Sequence, residues 1–124
     1  MNIGGSNKKP DIYFHSNGQI DITARITKLL EINEGDSINV WSSGNEYYLY
    51  VANRNPIGNE KGVCRKTNKG SNFLRANFIE LARNIISMCG KKEAYLPIGE
   101  LVFVNPIGKA VTLITRNNLY EERH

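Results

Sequence analysis

The chain has 124 residues, of which 40% are hydrophobic and 23% charged, a composition typical of a globular domain with its own core rather than of a disordered chain. The first ten residues lack the apolar run of a signal peptide, and no stretch approaches the roughly 18 apolar residues of a membrane span. The chain has two cysteines without a CxxC pair, which indicates neither a disulfide framework nor a metal site. The net charge is +4, and residues 63–124 hold 10 basic against 5 acidic side chains, so the positive charge lies in the second half. We therefore expect a cytoplasmic protein without membrane attachment, metal or cofactor.

The first half of the chain predicts a hairpin, a short helix and a second hairpin. Asn17-Gly18 lies between apolar runs, and this pair favours a tight hairpin turn because both residues tolerate positive φ. Thr23 suits the N-cap of a helix, and apolar residues at helical spacing follow it. The predicted elements are strands at 11–15 and 19–22, a helix from the N-cap to residue 32, and strands at 37–41 and 46–52.

The second half predicts the same order of elements. A longer apolar stripe indicates a second helix, and Gly90 suits the left-handed position that ends it. The predicted elements are strands at 62–66 and 71–74, a helix at 76–89, a loop at 91–99, and strands at 100–105 and 109–116.

This repetition indicates an internal duplication. A shift of 52 positions aligns Gly18 with Gly70, Ile22 with Leu74 and Ala24 with Ala76, and beyond the helix a larger shift aligns Gly35-Asp36 with Gly99-Glu100. One copy is too short to bury a core, whereas two copies paired about a pseudo-twofold axis would share one. We predict a flexible arm at 1–10, a single duplicated domain at 11–117 with units at 11–61 and 62–117, and a polar tail at 118–124.

Residues 18–40 carry a pattern that resembles the AbrB-like family of transition-state regulators, which are swapped-hairpin domains. The pattern is a glycine-led strand, a short helix, an acidic loop and an alternating strand. The matching positions are Gly18, Ile22, Leu30, Ile32, Asp36, Ile38 and Val40. Gly35-Asp36 also resembles the GD box of the wider cradle-loop barrel group, in which glycine allows the backbone turn and aspartate accepts hydrogen bonds from backbone N–H groups.

The resemblance implies both a fold and a function. The fold would be mainly β with two short helices (β+α), as a closed cradle-loop barrel of two pseudo-symmetric ββαββ units of the swapped-hairpin or double-psi type. Members of the family are mostly prokaryotic DNA-binding regulators and antitoxins, which bind DNA with basic residues around the first hairpin and the helix start. The resemblance therefore predicts a DNA-binding transcriptional regulator or antitoxin-like protein. Only one copy of this chain is basic, so symmetric DNA recognition would need a homodimer that places two basic copies side by side.

Six basic residues are the candidates for contact with duplex DNA. The first hairpin lacks the basic residues of the family, whereas no acidic residue lies between Glu60 and Glu80 in the second copy. The candidates are Arg65, Lys66, Lys69 and Arg75 in the second copy, with Arg25 and Lys28 supporting them from the first. On charge alone, a solvated strand surface is the alternative interpretation.

Two further functions stay open on the sequence. A protein- or peptide-binding barrel, or an assembly subunit, would hold its partner in the cradle or on a strand edge. A small enzyme would need a pocket with convergent titratable groups, but the sequence has no catalytic motif, so we expect no catalytic residues and no enzyme.

Three remaining groups of side chains favour packing over chemistry. His15 lies beside a turn, far in sequence from His124, and favours a surface or packing role. The two cysteines, Cys64 and Cys89, are expected to pack as small hydrophobic side chains. The aromatic residues of the 37–52 hairpin favour cross-strand packing, with stacking on bases as the alternative. They are Trp41, Tyr47, Tyr48 and Tyr50.

Overall fold

The structure is a computed structural model, and it describes residues 9–68 and 73–122. Most of the secondary structure in these residues is β-strand. The strands are β1 (Ile12–Phe14), β2 (Gln19–Ile22), β3 (Ser37–Ser43), β4 (Glu46–Asn53), β5 (Arg65–Lys66), β6 (Leu74–Asn77), β7 (Ala94–Leu96), β8 (Ile98–Val104) and β9 (Gly108–Leu113). The helices are α1 (Ala24–Leu29) and α2 (Ile79–Cys89). The prediction of a mainly β chain with two helices is therefore confirmed. Among the described residues, neither helix has the length and apolar surface that crossing a membrane requires.

The strands form two antiparallel sheets, and both sheets join the first half of the chain to the second. The first sheet has the order β5-β6-β2-β1-β7, and the second has the order β3-β4-β9-β8. In the first sheet, β2 pairs with β6 and places Ile22 opposite Leu74. In the second sheet, β4 pairs with β9 and places Leu49 opposite Val111. Buried side chains of both halves consequently pack in one hydrophobic cluster.

The predicted closed barrel is not found, because the ladders of paired strands stop at the sheet edges. Among the described residues, β7 leads from the first sheet through Pro97 into β8 of the second, and an isolated bridge joins Ser37 to Val63. Pro97 has no backbone N–H to donate to a ladder. The bridge at Val63 precedes a strand of only two residues, so neither junction extends into a continuous ladder.

The first half follows the predicted order of elements, with a shorter helix. α1 ends at Leu29 rather than at residue 32, because the backbone turns to a positive φ of 54° at Glu31. Thr23 lies at the N-cap position, but its hydroxyl does not cap the helix. It donates instead to the Asp11 carbonyl oxygen at 2.8 Å, which ties the start of α1 to the start of β1.

The Gly35-Asp36 turn has the chemistry that the sequence predicts. Gly35 has a φ of +99°, and the buried Asp36 carboxylate accepts hydrogen bonds from the backbone N–H groups of Asn33 at 2.8 Å and Asn55 at 3.0 Å. Glu100, which the sequence aligns with Asp36, is exposed on β8. The second half therefore does not repeat this turn, and the predicted alignment of the two positions is wrong.

The boundary between strand and helix in the second half also differs from the prediction. β6 begins at Leu74, where the strand predicted at 71–74 was expected to end, and the helix predicted from residue 76 begins three residues later. Ala76 favours a helix locally, but it lies buried in β6 opposite Ile20, because pairing with β2 outweighs its helix propensity. β2 and β6 begin 55 positions apart, so the predicted shift of 52 does not align the elements. Gly70, which that shift aligns with Gly18, lies outside the described residues.

The segment after residue 90 contains a strand where the sequence predicts a loop. β7 pairs with β1, with Tyr13 opposite Tyr95. The predicted tail binds the other edge of β7. The Asn118 side chain accepts a hydrogen bond from the Tyr95 N–H and donates one to the Glu93 carbonyl oxygen, and the Leu119 N–H donates to the Tyr95 carbonyl oxygen. Residues 1–8 of the predicted arm and 123–124 of the predicted tail lie outside the described residues.

Candidate nucleic-acid interface

The outward face of the first sheet carries a row of polar and aromatic side chains. The register places Arg65 opposite Arg75 and Arg75 opposite Asp21. It continues with Asp21 opposite Tyr13 and Tyr13 opposite Tyr95. On β1, β2, β6 and β7 the residues before and after these positions are buried, and side chains alternate between the faces of a strand, so the row points away from the core. With about 4.8 Å between strands, the row is about 19 Å long.

One end of the row is basic. Arg65 and Lys66 are exposed on β5, and with Arg75 they line a pocket of about 450 Å³. The other residues that line this pocket are Thr67, Asn68 and Asn77. Guanidinium and ammonium groups beside amide and hydroxyl donors match the chemistry of a phosphate oxyanion. We call this cluster the basic pocket.

Asp21 explains why two arginines lie directly opposite each other. Like charges at paired positions repel, but the Asp21 carboxylate accepts a hydrogen bond from Arg75 Nε at 2.7 Å. The Asp21 side chain is 2% exposed, whereas Arg75 is 33% exposed and still reaches solvent. The ion pair therefore orients Arg75 and balances part of its charge, while Arg65 faces solvent.

The other end of the row is aromatic. Tyr13, Tyr95, Phe73, His15 and Asp21 line a second pocket of about 470 Å³, which we call the aromatic pocket. The rings of Tyr13 and His15 are nearly parallel, with 6° between their planes, and the Tyr95 ring stands at 65° to Tyr13. The rings thus form two walls at a steep angle, with a carboxylate at their base.

His15 lies between two carboxylates. Its Nδ1 lies within hydrogen-bond distance of Glu93 Oε1 at 2.8 Å, and its Nε2 lies 3.1 Å from Asp21 Oδ2. Burial alone would raise the pKa of Glu93, but hydrogen bonds from the Ser16 backbone N–H and from His15 outweigh it and lower that pKa.

The two tyrosines of the aromatic pocket remain neutral. Burial raises the pKa of Tyr13, and the negative charges of Asp11 and Asp21 raise it further. Burial also raises the pKa of Tyr95, with a second contribution from Glu93. Both rings therefore present uncharged aromatic surface at neutral pH.

The structure brings together three of the six predicted DNA-binding residues, namely Arg65, Lys66 and Arg75. Arg25 pairs with Asp11 at 3.1 Å, ahead of β1, and lines neither the basic nor the aromatic pocket. Lys28 is exposed in the last turn of α1 and likewise lines neither pocket. Lys69 lies outside the described residues.

The aromatic pocket was not predicted from the sequence. Alternation along β1 places Tyr13 and His15 opposite the buried face, a signal that was present in the sequence. Tyr95 could not be placed, because its strand was assigned to a loop. The aromatic residues of the second sheet occupy other positions: Trp41 lies opposite Tyr48 across β3 and β4.

The two cysteines lie apart from both pockets and are not bonded to each other. Burial raises the pKa of Cys64 to about 12, and burial also raises that of Cys89. Both thiols therefore stay protonated at neutral pH, in the state in which they pack as small hydrophobic groups. Within the described residues, no three His, Cys, Asp or Glu side chains come together to hold a metal ion.

Comparison with models of protein families, with characterised proteins and with solved structures gives no match to this chain.

Proposed function

We propose that the outward face of the first sheet binds duplex DNA, and that the protein acts as a transcriptional regulator or antitoxin-like protein of the AbrB-like type. The basic pocket carries the proposal, because Arg65, Lys66 and Arg75 come from two neighbouring strands and line one cavity. Cations on one face dock on duplex phosphates by displacing condensed counterions.

The three cations have different positions in this mode of binding. Arg65 and Arg75 share one face of the sheet, because they are paired in register. Lys66 follows Arg65 and leaves β5 on the opposite side, but β5 is an edge strand, so the lysine reaches the pocket from the rim. Phosphates would contact Arg65 and Lys66 first, with Arg75 held behind them by Asp21.

A swapped-hairpin arrangement is part of the proposal. The β1–β2 hairpin of the first half pairs with the β5–β6 hairpin of the second half, as hairpin exchange between two copies requires. The Gly35-Asp36 turn supports the same relationship. A homodimer of the chain would place two basic pockets along one duplex, with a spacing that follows its twofold axis.

Salt-dependent binding tests the proposal. Fluorescence anisotropy with a labelled duplex of mixed sequence gives the affinity at several salt concentrations. Each phosphate contact contributes about 0.9 to the slope of log K against log salt, so Arg65→Glu with Lys66→Glu should reduce the magnitude of the slope by about 1.8. The same variant should bind the duplex at least about tenfold more weakly than the wild type in roughly 50 mM salt.

The matched control reverses two charges away from the basic pocket. Lys109→Glu with Arg116→Glu changes the net charge by the same amount, at positions in and after β9. It should retain the slope of the wild type. Equal losses in both double variants, or no binding of the duplex by the wild type at low salt, would contradict the proposal.

A protein- or peptide-binding subunit is the second candidate, and β8 favours it. This strand lies at an edge of the second sheet, and its Leu101 and Phe103 side chains are 39% and 80% exposed. An extended peptide would add to such an edge through backbone hydrogen bonds, with little dependence on salt. Calorimetry with peptides selected from a display library measures this binding, which Phe103→Glu should abolish without changing the affinity for duplex DNA.

A further inference from the structure

The aromatic pocket and the basic pocket share a boundary. Arg75 lines the basic pocket, Asp21 lines the aromatic pocket, and the two side chains form an ion pair at 2.7 Å. A ligand that crosses this ion pair therefore meets cations on one side and aromatic rings on the other. Docking on duplex phosphates uses only the first side and leaves the aromatic pocket without a role.

The walls of the aromatic pocket match a flat ring. Tyr13, Tyr95 and Phe73 are half-buried, and all three line the pocket. Stacking on aromatic side chains tolerates every nucleobase, because all bases have a π-face. The volume of about 470 Å³ lies within the range of small-molecule sites, roughly 300–1,000 Å³.

The charges around the pocket favour an anionic ligand over a cation. Aromatic pockets with carboxylates also bind ammonium groups, but here the Asp21 carboxylate is already paired with Arg75 and His15. The second carboxylate, on Glu93, is paired with His15. The arginines at the boundary repel a cation and attract a phosphate, so a ligand with a flat ring and a phosphate satisfies both sides.

We propose that the two pockets together bind an unpaired nucleotide of single-stranded DNA, with its base on Tyr95, Tyr13 and Phe73 and its phosphate in the basic pocket. Arg75 and Tyr13 flank Asp21 in the register, about 10 Å apart at their Cα atoms, a distance that a nucleotide and its phosphate span. Bases inside a duplex are stacked and cannot enter the pocket. The inference rests on the proposed function for the phosphate site alone.

A fluorescent base reports directly on stacking. A single strand of about 12 nucleotides with one 2-aminopurine should lose fluorescence on binding, because stacking against an aromatic ring quenches the base. Tyr95→Leu should weaken binding of the strand by about five- to 100-fold and remove most of the quenching. Tyr95→Phe keeps the ring and should behave like the wild type. Phe73→Ala provides a second variant that tests the pocket without changing a residue of β7, because Tyr95 lies in that strand.

Matched measurements separate this inference from duplex binding. Tyr48→Leu removes a half-buried tyrosine from β4 and should leave the quenching unchanged. The affinity of Tyr95→Leu for duplex DNA should stay within about twofold of the wild type. Titration with free 2-aminopurine deoxyribonucleoside monophosphate shows whether the ligand is a strand or a mononucleotide. The strand should bind more tightly than the mononucleotide.

The outcomes divide cleanly. Quenching that persists in both Tyr95→Leu and Phe73→Ala, or an equal loss in Tyr48→Leu, overturns the inference while duplex binding stands. A wild type that binds the single strand through Tyr95 but does not bind a duplex supports the inference and overturns the proposed duplex function. A free mononucleotide that binds as tightly as the strand overturns the assignment to single-stranded DNA.

Discussion

Replacing Asp21 with asparagine should destabilise the protein by about 2 kcal/mol. Its carboxylate is 2% exposed and accepts hydrogen bonds from Arg75 Nε at 2.7 Å and His15 Nε2 at 3.1 Å. A hydrogen bond to a charged group contributes about 1.5–3 kcal/mol. Arg75 is 33% exposed and His15 is 21% exposed, so water replaces part of each lost bond and the lower end of the range applies. The asparagine oxygen keeps part of one bond, which leaves a loss of about 2 kcal/mol.

Thermal unfolding followed by circular dichroism at neutral pH measures this loss. For a domain of this length, 1 kcal/mol corresponds to roughly 3–6 °C, so the melting temperature should fall by about 6–12 °C. Arg75→Gln completes a double-mutant cycle. The two substitutions together should cost less than the sum of the single effects, by about 1 kcal/mol, because both remove the same ion pair. Strictly additive effects, or an unchanged melting temperature for Asp21→Asn, would refute the reasoning.

Three further predictions concern stability. Gly18→Ala should lower the free energy of unfolding, measured by urea denaturation, by about 2 kcal/mol or more, because φ is +97° and the new Cβ would lie 2.8 Å from Ile79 Cβ. Gly44→Ala, with φ +62° and open space around the new Cβ, should lower it by only about 1 kcal/mol. Burial raises the pKa of Cys64 to about 12 in the folded state, so the wild type should lose stability as the pH rises above about 9, where the thiol of the unfolded chain ionises. Cys64→Ala has no such thiol and should lose less stability over the same pH range. Glu93→Gln should be less stable than the wild type at neutral pH but not at about pH 3. The hydrogen bonds that lower the pKa of Glu93 stabilise the folded protein only while the carboxylate is ionised.

Local signals predict the first half of the fold well. The Asn17-Gly18 turn, both strands that it joins, and the Gly35-Asp36 turn depend on residues close in sequence, and all are found. The start of β6 depends instead on Ile20, more than 50 positions away, which buries Ala76 in a strand. Strand pairing over such separations leaves little trace in the local sequence pattern.

The candidate site shows the same division. The basic residues of β5 could be predicted from charge, because a run without acidic side chains is visible in the sequence. The pairing of Arg75 with Asp21 joins residues 54 positions apart and has no local signal. Tyr95 was missed because β7 has only three residues, too few to show alternation, and is held by β1 and the C-terminal segment.

That C-terminal segment also governs how the protein could associate with other chains. An edge strand with unpaired N–H and C=O groups can add a strand from a neighbouring molecule, which is a route to aggregation. At the β7 edge, Asn118 and Leu119 already bind both backbone groups of Tyr95. The opposite edge, β5, has two residues, both positively charged, so a second copy is repelled there. Self-association by strand addition is therefore directed away from the first sheet and toward the edges of the second, which leaves the basic and aromatic pockets uncovered.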